Sequence, residues 1–368
     1  MIATRLRLRD FRSYETADVA LGVGLTIVHG SNGAGKTNLI EGLYFGCTGR
    51  SCRTSNEREV IRFGAGATRV EVDLRDDEDR PHTLAVGFAP GEDKRLLADG
   101  APVQRLVDVQ TRPLVVVFLP DRLELVKGPP ALRRSHIDQV VAATWPARVA
   151  TRKAYSQALA QRNALLARVR AGRAAASSLP AWDAELARHG IALRDNRAAV
   201  VDLLVPRFAA IAAALGLGEE AELRYRPRSR AQSADELAAE LAERTDSDLE
   251  RGFTGHGPHR DDLALLRHGR ELRSYGSQGE QRLGLLSLLL AEREALAATR
   301  RAPPLMLLDD VMSELDPERR ALLAQMLGGA GQSLITTTDL AHVPGGDAAG
   351  VTRLAVADGV ILQDVVAA

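Results

Sequence analysis

Gly30-Ser31-Asn32-Gly33-Ala34-Gly35-Lys36-Thr37 is the stretch on which the reading of this chain turns. It fulfils the pattern G-x-x-x-x-G-K-T. A β-branched run, Leu25-Thr26-Ile27-Val28, precedes it, and the helix-compatible run NLIEGLYF, 38–45, follows. That is the strand–loop–helix setting a phosphate-binding loop needs. Gly30, Gly33 and Gly35 let the backbone bend, so that the N–H groups of the loop, including those of Ser31, Asn32 and Ala34, converge on phosphate oxygens. The N-terminus of the next helix adds partial positive charge. Lys36 is expected to reach the β- and γ-phosphates of a nucleoside triphosphate, and the Thr37 hydroxyl to ligate Mg²⁺. Only four of the 48 basic residues are lysines (Lys36, Lys94, Lys127 and Lys153), so a lysine at this point is not a matter of abundance.

Such a loop requires an acidic partner for magnesium. Residues 305–310, LMLLDD, read as a buried strand ending in two carboxylates. Asp309 at the strand end suits the metal, and Asp310, one step on, suits polarisation of the attacking water. Paired acids at a strand end are more often helix caps, but the following Val311-Met312-Ser313-Glu314-Leu315-Asp316 narrows the choice.

Outward from these two motifs the chain alternates in texture. The segments 6–8 and 17–21, then TRVEVDLR, HTLAVGFA and PLVVVFL within 68–119, have strand character separated by turn residues. From about residue 126 the pattern becomes helical. Residues 147–171 and 181–215 form a predicted helical hairpin whose arms reach only about 40–50 Å, too short for a long coiled coil. Strand and loop character returns near 253, followed by a helix over 279–299, strands at 305–308 and 333–336, and a closing strand pair. The expected organisation is an α/β domain, residues 1–125 and 251–368, interrupted by a helical lobe over 126–250.

Composition sets bounds. Hydrophobic residues make up 45% and the formal net charge is zero, so a nucleic-acid surface must come from local segregation of charge. The stretch 151–173 carries Arg152, Lys153, Arg162, Arg168, Arg170 and Arg173 without an acid, whereas 219–250 is predominantly acidic. The basic stretch could track a phosphate backbone, or it could be a solvated helix face paired with the acidic segment. The two cysteines, Cys47 and Cys52, have no second pair to complete a zinc site and read as reduced thiols. The N-terminal residues lack the apolar run of a signal peptide, and no apolar run approaches the roughly 18 residues of a membrane span, so a cytoplasmic location is expected.

LLDDVMSELD, 307–316, together with SYGSQGEQR, 274–282, resembles the Walker B, D-loop and signature motifs of ABC-type ATPases. In that family the signature Ser and Gly, here Ser277 and Gly279, contact the γ-phosphate held by a second subunit, and Asp316 would be the D-loop aspartate. FRSYETADVAL (11–21), LELVKGPPALRRSHID (123–138), GPHRDDL (257–263) and TTTD (336–339) look like the RecF family in particular. The resemblance covers essentially the whole chain. It implies a P-loop ABC-type ATPase head, a mixed sheet plus helices, carrying an inserted α-helical lobe. It also implies a slow ATPase, used as a dimerisation switch, that binds ATP and Mg²⁺ and acts on gapped or single-strand/double-strand junction DNA. The expected partners are a second copy of the chain and the mediators RecR and RecO, which load the RecA recombinase. A transporter subunit shares the core motifs. Against it stand the roughly 245 residues between Gly30 and Ser277 and an aspartate, Asp339, at the switch position where transporters place histidine.

Other departures are Asp310 in place of glutamate and Glu280 in place of the signature glutamine. The shorter carboxylate predicts slow turnover. Gln110 and Asp121 are candidates for the Q-loop position. The histidines and aspartates of GHGPHRDD (255–262) could be mistaken for a metal site; a turn or an interface role is expected instead.

Overall fold

In the computed structural model, residues 1–119, 123–300, 303–329 and 331–364 are described. The alternating start of the chain becomes β1 (Ile2–Phe11) and β2 (Tyr14–Ala20), and the β-branched run becomes β3 (Leu25–His29). Helix α1 (Lys36–Thr48) follows, then β4 (Thr68–Arg75), β5 (Pro81–Phe88), β6 (Arg95–Ala98), β7 (Ala101–Pro102) and β8 (Val115–Phe118). A helical stretch comprises α2 (Glu124–Lys127), α3 (Pro130–Thr144), α4 (Val149–Arg170) and α5 (Leu179–Ala214). After it come β9 (Ala221–Arg226), α6 (Ala234–Ala242), α7 (Thr245–Arg251), β10 (Asp262–Arg267), β11 (Arg270–Glu271), α8 (Leu272–Tyr275) and α9 (Gln278–Arg300). The chain closes with β12 (Leu305–Leu308), α10 (Pro317–Gly329), β13 (Ser333–Thr337), β14 (Thr352–Ala357) and β15 (Val360–Asp364).

Two compact units result, Met1–Asp121 with Leu296–Ala368, and Arg122–Ala295. The first holds two six-stranded sheets. One is antiparallel, in the order β2-β1-β4-β5-β6-β7. The other, β15-β14-β3-β13-β12-β8, is parallel except for β15. Helix α1 packs on β1, β4 and β5 of the antiparallel sheet and on β8 and β13 of the parallel one. Its glycines allow this close approach: a Cβ on Gly42 would lie 2.8 Å from a Leu8 methyl, and one on Gly46 2.5 Å from a Val72 methyl. Each helical glycine costs about 1 kcal/mol of propensity, which the tight packing against Leu8, Val70 and Val72 offsets. The buried Gln332 side chain accepts from Ala3 N (2.9 Å) and donates to Ala3 O and Gly22 O, joining the bulged start of β1 to the chain entering β13.

The second unit is not purely helical. Its α4–α5 hairpin matches the predicted one, and α6 and α7 pack on it, but a three-stranded sheet, β11-β10-β9, belongs to the same unit. The sequence pattern assigns 251–295 to the head. Here that segment clusters with the helices, because β10 pairs with β9 and residues 256–262 bond to α3–α6. No helix among the described residues is long and apolar enough to cross a membrane.

Candidate functional site

Strands β3, β13 and β12 are parallel neighbours, so their C-terminal ends lie side by side, the edge where open parallel sheets bind ligands. β3 delivers the glycine loop there. Gly30 (φ 151°) passes so close to β14 that a Cβ would stand 2.1 Å from Val356 O. Gly33 and Gly35 have φ of 81° and 116°. Ser31, Asn32 and Gly33 form an exposed tip on a buried root, Ala34 and Gly35. That root is held from behind: the Tyr14 hydroxyl donates to Gly35 O (3.0 Å), and Gly359 N donates to Ala34 O (3.1 Å). No side chain caps α1, which leaves its first-turn N–H groups for an anion.

Lys36, 7% exposed, donates through Nζ to Gly30 O (2.7 Å) and Ser31 O (2.9 Å), across the mouth of its own loop. Burial pushes its pKa down, while Asp310 and Asp309 oppose that shift. The Thr37 hydroxyl donates to Asp309. Thr336, at the end of β13, also donates to Asp309 (2.7 Å), and its oxygen accepts from Asp310 N (2.9 Å). Burial raises the Asp309 carboxyl above the ordinary range, with the two hydroxyls acting in the opposite sense. Asp310 stands at φ 45°, a left-handed conformation that Asp tolerates better than most side chains. Its Oδ1 is buried without a hydrogen-bond partner among the described residues.

Several residues around this site carried no motif signal. Glu41 is fully buried in α1 and accepts a bidentate pair from Arg12 (2.7 and 2.8 Å), with Arg53 at 3.2 Å and the Ser51 hydroxyl at 2.5 Å. Arg53 also donates to Asn38 (3.1 Å), whose amide donates to Ser13. An ionisable residue on the apolar α1 run was the one available sign. Thr336 lay within the TTTD string, but only the fold shows it bridging the two acids.

The set fits a magnesium–triphosphate. It offers an uncapped helix start, a lysine at the loop mouth, a hydroxyl–carboxylate pair, and a second carboxylate with spare acceptor capacity. Asp339 accepts from Ala341 N (2.9 Å) and caps a short turn. Gln110 is exposed. Asp121 lies outside the described residues.

In the second unit, Ser277 is exposed ahead of α9. Ser277 N donates to Glu280 (2.7 Å), and Glu280 N donates back to the Ser277 hydroxyl (3.3 Å), a reciprocal capping box. This gives the departure from the usual glutamine a local role, reinforced by an ion pair from Arg267. Gly279 is exposed beside it.

Residues 2–353 match the family described as RecF/RecN/SMC N terminal domain. The DNA replication and repair protein RecF of Frankia alni is 37% identical over 99% of this chain and 100% of its own length. That of Myxococcus xanthus is 39% identical over 92% of this chain and 91% of its own. The chain belongs to the RecF family. A solved structure of the recombination mediator protein RecF-ATPrS in the RecFOR pathway matches with a TM-score of 0.83 at 25% identity, over 98% of this chain and 97% of that one. An SMC head bound to the C-winged helix domain of ScpA shares the fold, with a TM-score of 0.59 at 16% identity. The architecture is thus that of RecF and SMC ATPase heads, and membership of the RecF family removes the support for a transporter subunit.

The RecF-like GPHRDD segment is a structural hub. His259 bonds Tyr155 OH (2.7 Å) and Thr254 O (2.9 Å). Asp261 accepts from Arg228 N (2.7 Å) and Tyr225 OH, and Asp262 takes a bidentate pair from Arg133 (2.7 and 3.0 Å). His256 pairs with Glu240. No metal-binding cluster forms among the described residues.

One of the six basic DNA-contact candidates must be withdrawn. Arg162 is 0% exposed and bonds Asp183 (2.6 Å), Asp248 (2.7 Å) and Thr254 (2.8 Å), so it is a core ion pair and cannot meet a phosphate backbone. Arg152 is exposed but lies 3.3 Å from Asp138. Lys153, Arg168, Arg170 and Arg173 are exposed.

Proposed function

We propose that this chain is an ATP-dependent DNA-binding protein of recombinational repair, a slow ATPase that dimerises around ATP and lets go on hydrolysis. The reading rests on one observation above all: Lys36, Thr37 and Asp309 are gathered in one unit, while Ser277 stands exposed at a helix start. In this reading the loop from Gly30 to Thr37 wraps the phosphates, and Lys36 neutralises the β- and γ-phosphates. Thr37 and Asp309 hold Mg²⁺, which when bound would neutralise charge on the phosphates. Asp310 orients and deprotonates the attacking water. Ser277 and Gly279 grip the γ-phosphate of a second copy, so that each nucleotide joins two subunits.

The substrate would be gapped or junction DNA at stalled forks in the cytoplasm, held mainly through phosphates. Exposed Lys153, Arg168, Arg170 and Arg173 are the foremost candidates among the charges predicted from sequence. The solved relative acts in the RecFOR pathway by its own description, which supports RecR and RecO as partners in loading RecA. Sizing the purified protein with ATP, with ADP and with neither tests the core of this. Asp310→Asn with ATP should run as a dimer that stays on DNA; a monomer under those conditions would sink the switch.

A further inference from the structure

We infer that Phe253, with Arg170, Arg251 and Arg260 around it, forms a stacking platform for single-stranded DNA on the second unit. The inference rests on the DNA-binding reading and specifies which strand is contacted there.

Helix α7 ends at Arg251, and Gly252, in the left-handed region at φ 79°, caps it. The next residue, Phe253, is 41% exposed. An exposed phenylalanine ring has no hydrogen-bonding group of its own to satisfy, so its attraction for water is weak and its faces favour π-systems and cations. Two cations already lie over it: the guanidinium carbons of Arg260 and Arg251 stand 5.4 and 5.9 Å from the ring centroid.

The flanking glycines bring arginine against this backbone. A Cβ at Gly252 would fall 2.7 Å from Arg170 Nη1, and one at Gly255 3.0 Å from Arg251 Nη2. Glycine at both positions leaves room for these guanidinium groups to lie close against the turn.

The turn is also held rigid from below. Gly255 N donates to Asp248 (2.9 Å), Thr254 N donates to Asn163 (2.8 Å), and Arg162 locks Asp248 from the core. Arg251 approaches Asp248 at 3.4 Å, a buried acid already committed to Arg162. Arg170 and Arg260 are exposed. The surface therefore offers cations for phosphates and a ring and guanidinium planes for bases.

That combination suits a strand whose bases are unstacked. A duplex hides its base faces and could use the arginines alone. Arg170 thereby moves from a member of a basic helix to a member of a specific site.

The test measures binding of a fluorescent twenty-nucleotide oligo-dT and of a twenty-base-pair duplex, with ATP and Mg²⁺ present, to wild type, Phe253→Ala and Phe253→Trp. Inorganic polyphosphate serves as a base-free competitor. Circular dichroism confirms folding, which an exposed ring should not govern. Phe253→Ala should weaken oligo-dT binding roughly tenfold, the scale of one lost base stack, with duplex affinity and polyphosphate competition within about twofold of wild type. Phe253→Trp should restore oligo-dT binding. An unchanged oligo-dT affinity in Phe253→Ala overturns the platform, as does an equal loss for both DNAs. If wild type binds neither DNA, the DNA-binding reading itself falls.

Discussion

The Thr37 hydroxyl donates to both oxygens of the Asp309 carboxylate, at 3.0 and 2.8 Å, across 272 positions of sequence. Parallel pairing of β3, β13 and β12 makes this meeting possible, and Thr336 on the intervening strand completes it. A hydroxyl and a carboxylate so placed form a hard-oxygen pair of the kind Mg²⁺ takes in phosphoryl-transfer sites.

Replacing Asp309 should expose a conflict between stability and activity. Its folded carboxyl titrates above the unfolded value, so its contribution to stability is present below the ordinary carboxylate range and is lost as pH rises through the raised value. At neutral pH the ionised group is therefore a cost. Asp309→Asn should raise the melting temperature of the metal-free protein at pH 7, with no gain near pH 3, while ATP hydrolysis is abolished. Calorimetry at the two pH values and a phosphate-release assay check both halves.

Asp310→Asn should cut hydrolysis about 10²–10⁴-fold while leaving ATP affinity near wild type. Asn shares with Asp a tolerance of the left-handed backbone at φ 45°, so the fold at this point is preserved. Single-turnover hydrolysis alongside nucleotide titration separates the two quantities.

Arg162 and Arg168 sit on one helix and should behave as opposites. Arg162→Ala strands the buried Asp183 and Asp248 and should cost about 3–5 kcal/mol in urea unfolding of the intact chain. Arg168→Ala should change stability by less than about 0.5 kcal/mol. If Arg168 touches phosphate, its loss should instead lower the slope of log affinity against log salt by about 1.

His259 should make the second unit acid-sensitive. Burial pushes its imidazole down to about 4, whereas an unfolded histidine titrates near its ordinary value. Its contribution is thus intact above the ordinary value and is lost as pH falls toward 4. His259→Gln should flatten stability between about pH 6.5 and 4. Thermal melts across that range read the difference, and an unchanged slope would contradict it.

Much of this protein was legible without coordinates, because the signals are local. The glycine loop and the four apolar residues before Asp309 each involve groups a few residues apart. Periodicity likewise marked the α4–α5 hairpin and most strands. Charge on a helix was a poorer guide. Arg162 shares a basic run with exposed arginines, and its burial depends on acids 21 and 86 residues away. The same holds for Gln332, which reaches Ala3 across 329 positions, and for β9, whose partner β10 lies beyond two intervening helices.

The amino-acid sequence by itself determined that there is a phosphate-binding loop, an acid pair at a strand end and a signature-like helix start, since short-range backbone geometry specifies each. Only the tertiary structure decided which arginines face water, that Thr336 bridges Asp309 and Asp310, and that 251–295 joins the helices. Those outcomes depend on which distant groups arrive to replace water around a charge or to pair a strand, and no spacing along the chain encodes that.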